Sequence, residues 1–63
     1  MTAVCDVCRI LDGDVRQKRC KWCDFCKSYI CEHDLDSTRR VRAFLAKKGL
    51  SIEKFRNWVK ATL

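Results

Sequence analysis

Six cysteines and one histidine are the side chains of this 63-residue sequence best suited to chemistry. Five of the seven fall within "RCKWCDFCKSYICEHD", Arg19 to Asp34. Cys5 and Cys8 stand apart in "CDVC", where one tight turn presents two thiolates to one ion, as a tetrahedral site with Zn–S of about 2.3 Å requires. The stretch from Cys20 through Cys23 to Cys26 offers two overlapping turns of the same kind, and Cys31 and His33 follow just before a helical pattern begins. Seven sulfur and nitrogen donors exceed one tetrahedron by three. Spare thiols crowded this closely would be open to oxidation and metal exchange, so the expectation is two Zn²⁺ ions, with a bridging thiolate or a carboxylate as the eighth ligand.

Three disulfides are the competing use of six cysteines in a short chain. Met1–Val4 is too short for the basic and apolar regions of a signal peptide, and cysteines in CxxC pairs lie too close to reach across a fold. An intracellular location, cytoplasmic or beside the genome, is therefore expected, with reduced thiols that bind metal. No window approaches the roughly 18 apolar residues of a membrane span, so no membrane contact is expected. Catalytic zinc keeps an open position among His and carboxylate ligands. Thiolate-rich sites, with no Gly-rich phosphate loop and no nucleophile motif, argue against an enzyme and against a small-molecule substrate.

The segment Cys23-x2-Cys26-x4-Cys31-x2-Asp34, preceded by "CDVC" and the basic "RQKR", resembles the ligand arrangement of cross-braced, treble-clef-type zinc domains such as FYVE and B-box. In those families alternate ligand pairs share a metal. The resemblance implies that Cys5 and Cys8 share an ion with Cys31 and either His33 or Asp34, while Cys23 and Cys26 hold the other. Asp34 stands where the families have Cys or His, His33 comes one residue early, Cys20 is extra, and no fourth pair follows. The histidines of the FYVE lipid site are absent around "RQKR", so no lipid binding is implied.

The elements that must position these ligands are short. Ile10 and Leu11, then Asp12-Gly13-Asp14, then Val15 predict a small hairpin with Gly13 in the turn. Trp22 and Phe25, set between ligands, are expected to cover the metal. After Asp34 the period becomes helical: Asp36, Ser37 and Thr38 are N-cap residues, Val41, Phe44 and Leu45 form an apolar stripe, and Gly49 ends the helix. Ser51 then caps a second helix with Ile52, Phe55, Val59 and Leu63 on one face. The fold class is thus a small metal-stabilised α+β domain spanning 1–63, its zinc-binding half at 1–35 and a basic helical hairpin at 36–63. "AFLAKKGLSIEKFRNWV" resembles a helix-turn-helix, with Gly49, Leu50, Ser51, Phe55 and Trp58 in the expected places and Leu45 where a small residue is usual.

Charge is uneven. The first 34 residues carry six basic and six acidic side chains. From Leu35 on, eight basic residues meet only Asp36 and Glu53, so the net +6 lies in the helical half. A basic helix pair on a zinc scaffold is what phosphate contact requires. The leading expectation is a nucleic-acid-binding regulator, with Arg39, Arg40, Arg42, Lys47 and Lys48 on phosphates and Lys54, Asn57 and Lys60 toward the bases. The alternative is a protein-interaction module that uses Phe55 and Trp58 as anchors.

Overall fold

The structure is a computed structural model that describes residues 1–62, with every side chain among them except that of Thr38. A short strand, β1 (Thr2–Val4), leads straight into a helix, α1 (Asp6–Asp12). Asp6 sits in the first turn, where a carboxylate meets the positive end of the helix dipole. The helix stops at Gly13, whose φ of 67° is left-handed backbone open to a residue without Cβ. The Gly13 N–H donates to the Arg9 carbonyl at 3.0 Å, and the Asp14 N–H donates to the Cys8 carbonyl at 3.2 Å. The hairpin expected over Ile10–Val15 is therefore corrected to a helix end. Ile10 and Leu11 continue the turn begun by Val7, and all three pack on the core.

The hairpin of the fold comes later, from β2 (Gln17–Cys23) and β3 (Ser28–Cys31). Its turn includes Lys27 at φ 55°. β2 lies centrally in an antiparallel sheet of order β1-β2-β3, with Thr2 opposite Arg19 and Cys20 opposite Cys31. Trp22 faces Tyr29 across the strands, edge to face with ring centroids 5.0 Å apart, and is 46% exposed. It forms a cross-strand aromatic pair on the outside of the sheet instead of the expected metal cover. Phe25 is half-buried against the core.

A single turn, α2 (Glu32–Leu35), follows β3 without a break, and α3 (Thr38–Lys48) starts after Ser37. Val41, Phe44 and Leu45 are buried as the stripe required, and with Val7, Ile30 and Phe55 they make up the large apolar side chains of the core. That is a small core for 63 residues, and six buried cysteines fill out the rest. α3 ends at Gly49 (φ 70°), where Leu50 N–H reaches the Leu45 carbonyl at 2.9 Å and Gly49 N–H the Ala46 carbonyl at 3.3 Å, a Schellman pair. After this turn α4 (Ile52–Thr62) begins, and the Ser51 carbonyl accepts the Phe55 N–H. Among the described residues no helix is long and apolar enough to cross a membrane.

Candidate metal centre

Four of the expected ligands converge. Cys5 and Cys8 flank the first turn of α1, Cys31 ends β3, and Asp34 lies one helical turn on in α2. Their three Sγ atoms and one carboxylate oxygen lie within 4.8 Å of one another, and all four residues are buried. The Asp34 Oδ2 atom is 3.3 Å from Cys5 Sγ, 3.1 Å from Cys8 Sγ and 3.3 Å from Cys31 Sγ. A tetrahedral ion with M–S of about 2.3 Å and M–O of about 2.0 Å sets its sulfur and oxygen ligands roughly 3.5 Å apart. The three oxygen-to-sulfur distances are within a few tenths of an ångström of that edge, so the donor set suits one tetrahedral metal ion.

The surroundings support anionic ligands. Lys18 Nζ donates to Cys8 Sγ at 3.1 Å, and the Cys31 backbone N–H donates to Cys5 Sγ at 3.2 Å. Arg40 reaches back from α3 to fix the carboxylate. Its Nε donates to Asp34 Oδ1 at 2.7 Å and its Nη2 to Asp12 Oδ2 at 2.7 Å, with Nη2 also 3.7 Å from Cys8 Sγ. Asp34 thus presents one oxygen to the sulfurs and the other to a guanidinium, the usual way a ligating carboxylate is oriented. Three thiolates and a carboxylate would leave a bound divalent ion with two net negative charges, and Lys18 and Arg40 touch the donors.

Protonation follows from these contacts. Burial pushes the Cys5 and Cys31 thiols above the ordinary thiol range, the carboxylate beside them adding to the effect. Burial also acts to raise Asp34, but hydrogen bonds from Cys8, Arg40, Cys31 and Cys5 outweigh it and hold that carboxyl low. The Arg40 guanidinium is held charged, first by Asp12 and then by Asp34.

The other expected ligands are placed differently. His33 is exposed on α2, outside the cluster. Residues 31 and 34 share a helical face, whereas 33 is turned about 100° from 34, which points it away. Of the two choices left open for the fourth ligand, the fold brings in Asp34. Cys20 is buried with its Sγ 3.4 Å from the Ala3 carbonyl of β1, not with the other sulfurs. Cys23 and Cys26 pair at the β2–β3 turn, where the Cys26 N–H donates to Cys23 Sγ at 3.1 Å. Contact with the Cys26 thiol lowers Cys23, and the same contact raises Cys26. Among the described residues no His, Cys, Asp or Glu completes a donor cluster with this pair.

Two of the expected phosphate contacts are engaged inside the fold. Arg40 serves Asp34 and Asp12. Lys48 donates to the Cys26 carbonyl at 3.1 Å and to Ser28 Oγ at 2.9 Å, and its Nζ lies 5.3 Å from the centre of the Phe44 ring. Both hold α3 onto the rest of the chain. Arg39, Arg42, Lys47, Lys54, Asn57 and Lys60 are exposed. The roles of Arg40 and Lys18 at the metal centre were not legible in the sequence, since nothing in their spacing ties them to Asp34 or Cys8. No protein-family model, curated protein or solved structure matches the chain.

Proposed function

We propose that this is a zinc-stabilised nucleic-acid-binding module: one Zn²⁺ held by Cys5, Cys8, Cys31 and Asp34 fastens α1 to the start of α2, and the basic surface of α3 and α4 contacts phosphates. Three soft thiolates with one carboxylate in tetrahedral array suit zinc among the common divalent ions. The Cys23–Cys26 pair alone supplies half a coordination shell, so one ion per chain is the stoichiometry the donor geometry favours over two.

The observation that carries the binding role is the charge left over after folding. Arg39, Arg42, Lys47, Lys54, Arg56 and Lys60 are exposed and, among the described residues, none of them is in an ion pair. These six cations account for the surplus that the first 34 residues lack. A nucleic acid releases counterions when such cations neutralise its phosphates. The test is fluorescence anisotropy of labelled duplex and single-stranded DNA and RNA with the zinc-loaded protein, repeated across salt. Changing Arg39, Arg42 and Lys47 together to Ala should preserve zinc content and flatten the log–log salt slope by about 0.9 per lost contact on duplex DNA. Absence of binding to any of these probes at about 50 mM salt, where counterion release is most favourable, would reject the reading.

A further inference from the structure

One apolar surface is explained neither by the metal centre nor by phosphate contact. An open groove of about 290 Å³ runs between the end of α2 and α4, with Leu35, Ile52, Phe55 and Val59 forming its apolar walls and floor. Phe55 is buried at 4% exposure, whereas Leu35, Ile52 and Val59 are half-buried. Pockets for drug-sized molecules run roughly 300–1,000 Å³. An open groove at the bottom of that range suits two or three apolar side chains offered by a neighbouring backbone.

Charge on the rim is one-sided. At about 100° per residue, Ile52, Phe55 and Val59 fall within one stripe of α4, and Arg56 and Lys60 stand together on a single flank of it. Both line the groove, and Asp36 is the acidic group at its other edge. A second copy of this chain would bring like charge against Arg56 and Lys60. A nucleic acid has no aliphatic groups to fill the floor beyond occasional methyls. The occupant that matches both features is a helix with apolar anchors at i, i+3, i+4 and i+7 and carboxylates along one flank. We infer that the α2–α4 groove is a docking site for an acidic amphipathic helix of a partner protein, with Arg56 and Lys60 selecting its acidic flank. The groove shares Arg56 and Lys60 with the nucleic-acid reading, whose other cations, Arg39, Arg42, Lys47 and Lys54, lie outside it; its apolar floor is what the two readings do not share.

The test uses the full metal-loaded chain and a synthetic peptide of about 15 residues, or roughly four helical turns, with Leu anchors at that spacing and Glu on one flank. A second peptide carries Lys in place of Glu. Backbone amide shifts are followed by NMR. The expected result is saturable binding with shifts at Leu35, Ile52 and Val59, and affinity about tenfold weaker for the Lys peptide, since two rim pairs are each worth a few-fold. Val59→Asp, at a half-buried position, should abolish binding while the amide spectrum outside α4 and the groove stays that of the unmodified chain. Arg56→Glu with Lys60→Glu should reverse the preference between the peptides. The inference is overturned if neither peptide moves these amides at about 1 mM, where even weak helix-in-groove contacts register, or if both bind equally. It is also overturned if an oligonucleotide, or raising the protein concentration alone, moves the same amides and the Glu peptide does not.

Discussion

Arg40 was expected on the surface and is found holding Asp34 of the candidate metal site, so its removal tests the site most directly. In Arg40→Ala, Asp34 loses the 2.7 Å hydrogen bond on Oδ1 while remaining fully buried. A hydrogen bond to a charged group contributes about 1.5–3 kcal/mol. Partners that orient metal ligands are worth about 10–100-fold in affinity, or about 1.4–2.7 kcal/mol. The Arg40 side chain is 27% exposed, so water can replace part of what is lost, which places the expected loss of zinc affinity at about 10–30-fold, the lower half of that range. Competition against a chromophoric chelator measures it, and the visible spectrum of the Co²⁺-substituted protein reports whether the tetrahedron loosens. Arg39→Ala, on an exposed neighbour, serves as the control. Arg40→Lys should recover only part of the loss, since a single ammonium cannot bridge Asp34 and Asp12 as the guanidinium fork does. If Arg40→Ala binds zinc as tightly as the unmodified chain while Asp34→Ala does not, the orienting role assigned to Arg40 is wrong.

Metal uptake should depend steeply on pH. Cys5 and Cys31 are held above the ordinary thiol range and so carry protons in the empty site at neutral pH, while Asp34 is held low and carries none. Loading therefore releases at least two protons, and affinity should fall about 100-fold per pH unit on acidification; a slope near one proton in zinc competition at stepped pH would contradict this. Cys20→Ser should leave zinc affinity unchanged, whereas Cys5→Ser should lower it sharply and speed amide exchange from Cys31 to Leu35, the segment the site fastens. Gly49→Ala should lower the melting temperature of the metal-loaded protein by about 4–8 °C, the equivalent of about 1 kcal/mol in a domain of this size. Its φ of 70° is strained for a residue with Cβ while nothing lies within 4 Å of the added methyl, so the cost is conformational alone, and no change in melting would refute the capping role.

The parts of this fold that were legible in the sequence are those whose signals are local. The stripe of Val41, Phe44 and Leu45 needs only helical geometry, and Gly49 followed by Leu50 and Ser51 marks one helix end and the next start. The sharing of one site by Cys5, Cys8 and Cys31 with Asp34 or His33 was expected from the resemblance to cross-braced zinc domains, and helix geometry then decides between the last two. Gly13 misled because left-handed backbone serves a hairpin turn and a helix C-terminus equally well. Only the packing of Val7, Ile10 and Leu11 against the core separates the two. Trp22 misled in a similar way: lying between ligands in sequence, it packs across the hairpin on Tyr29 instead, half exposed. The ion pairs of Arg40 and the contacts of Lys48 depend on where α3 lies over α1 and the hairpin, and no spacing rule encodes that.

The metal centre and the two proposed surfaces are unequally coupled by this architecture. Cys5 and Cys8 belong to the start of α1 and Cys31 and Asp34 to the β3–α2 junction, and Arg40 carries the connection into the first turns of α3. Lys48 secures the other end of α3 to the hairpin turn. Between these anchors lie Arg42 and Lys47, so the proposed phosphate-binding surface on α3 would be tied to the candidate metal site at one end and to the hairpin turn at the other. α4 has no residue in the cluster and joins the core through the buried Phe55, with Leu50, Ile52, Trp58 and Val59 packed partly around it. Its groove is bounded on the far side by Leu35 and Asp36, directly after the ligand Asp34. On the zinc reading, loss of metal would therefore reach the two surfaces by different routes: through Asp34 and Arg40 at the start of α3, and through Leu35 and Asp36 at one wall of the groove, with no ligand on the α4 stripe itself.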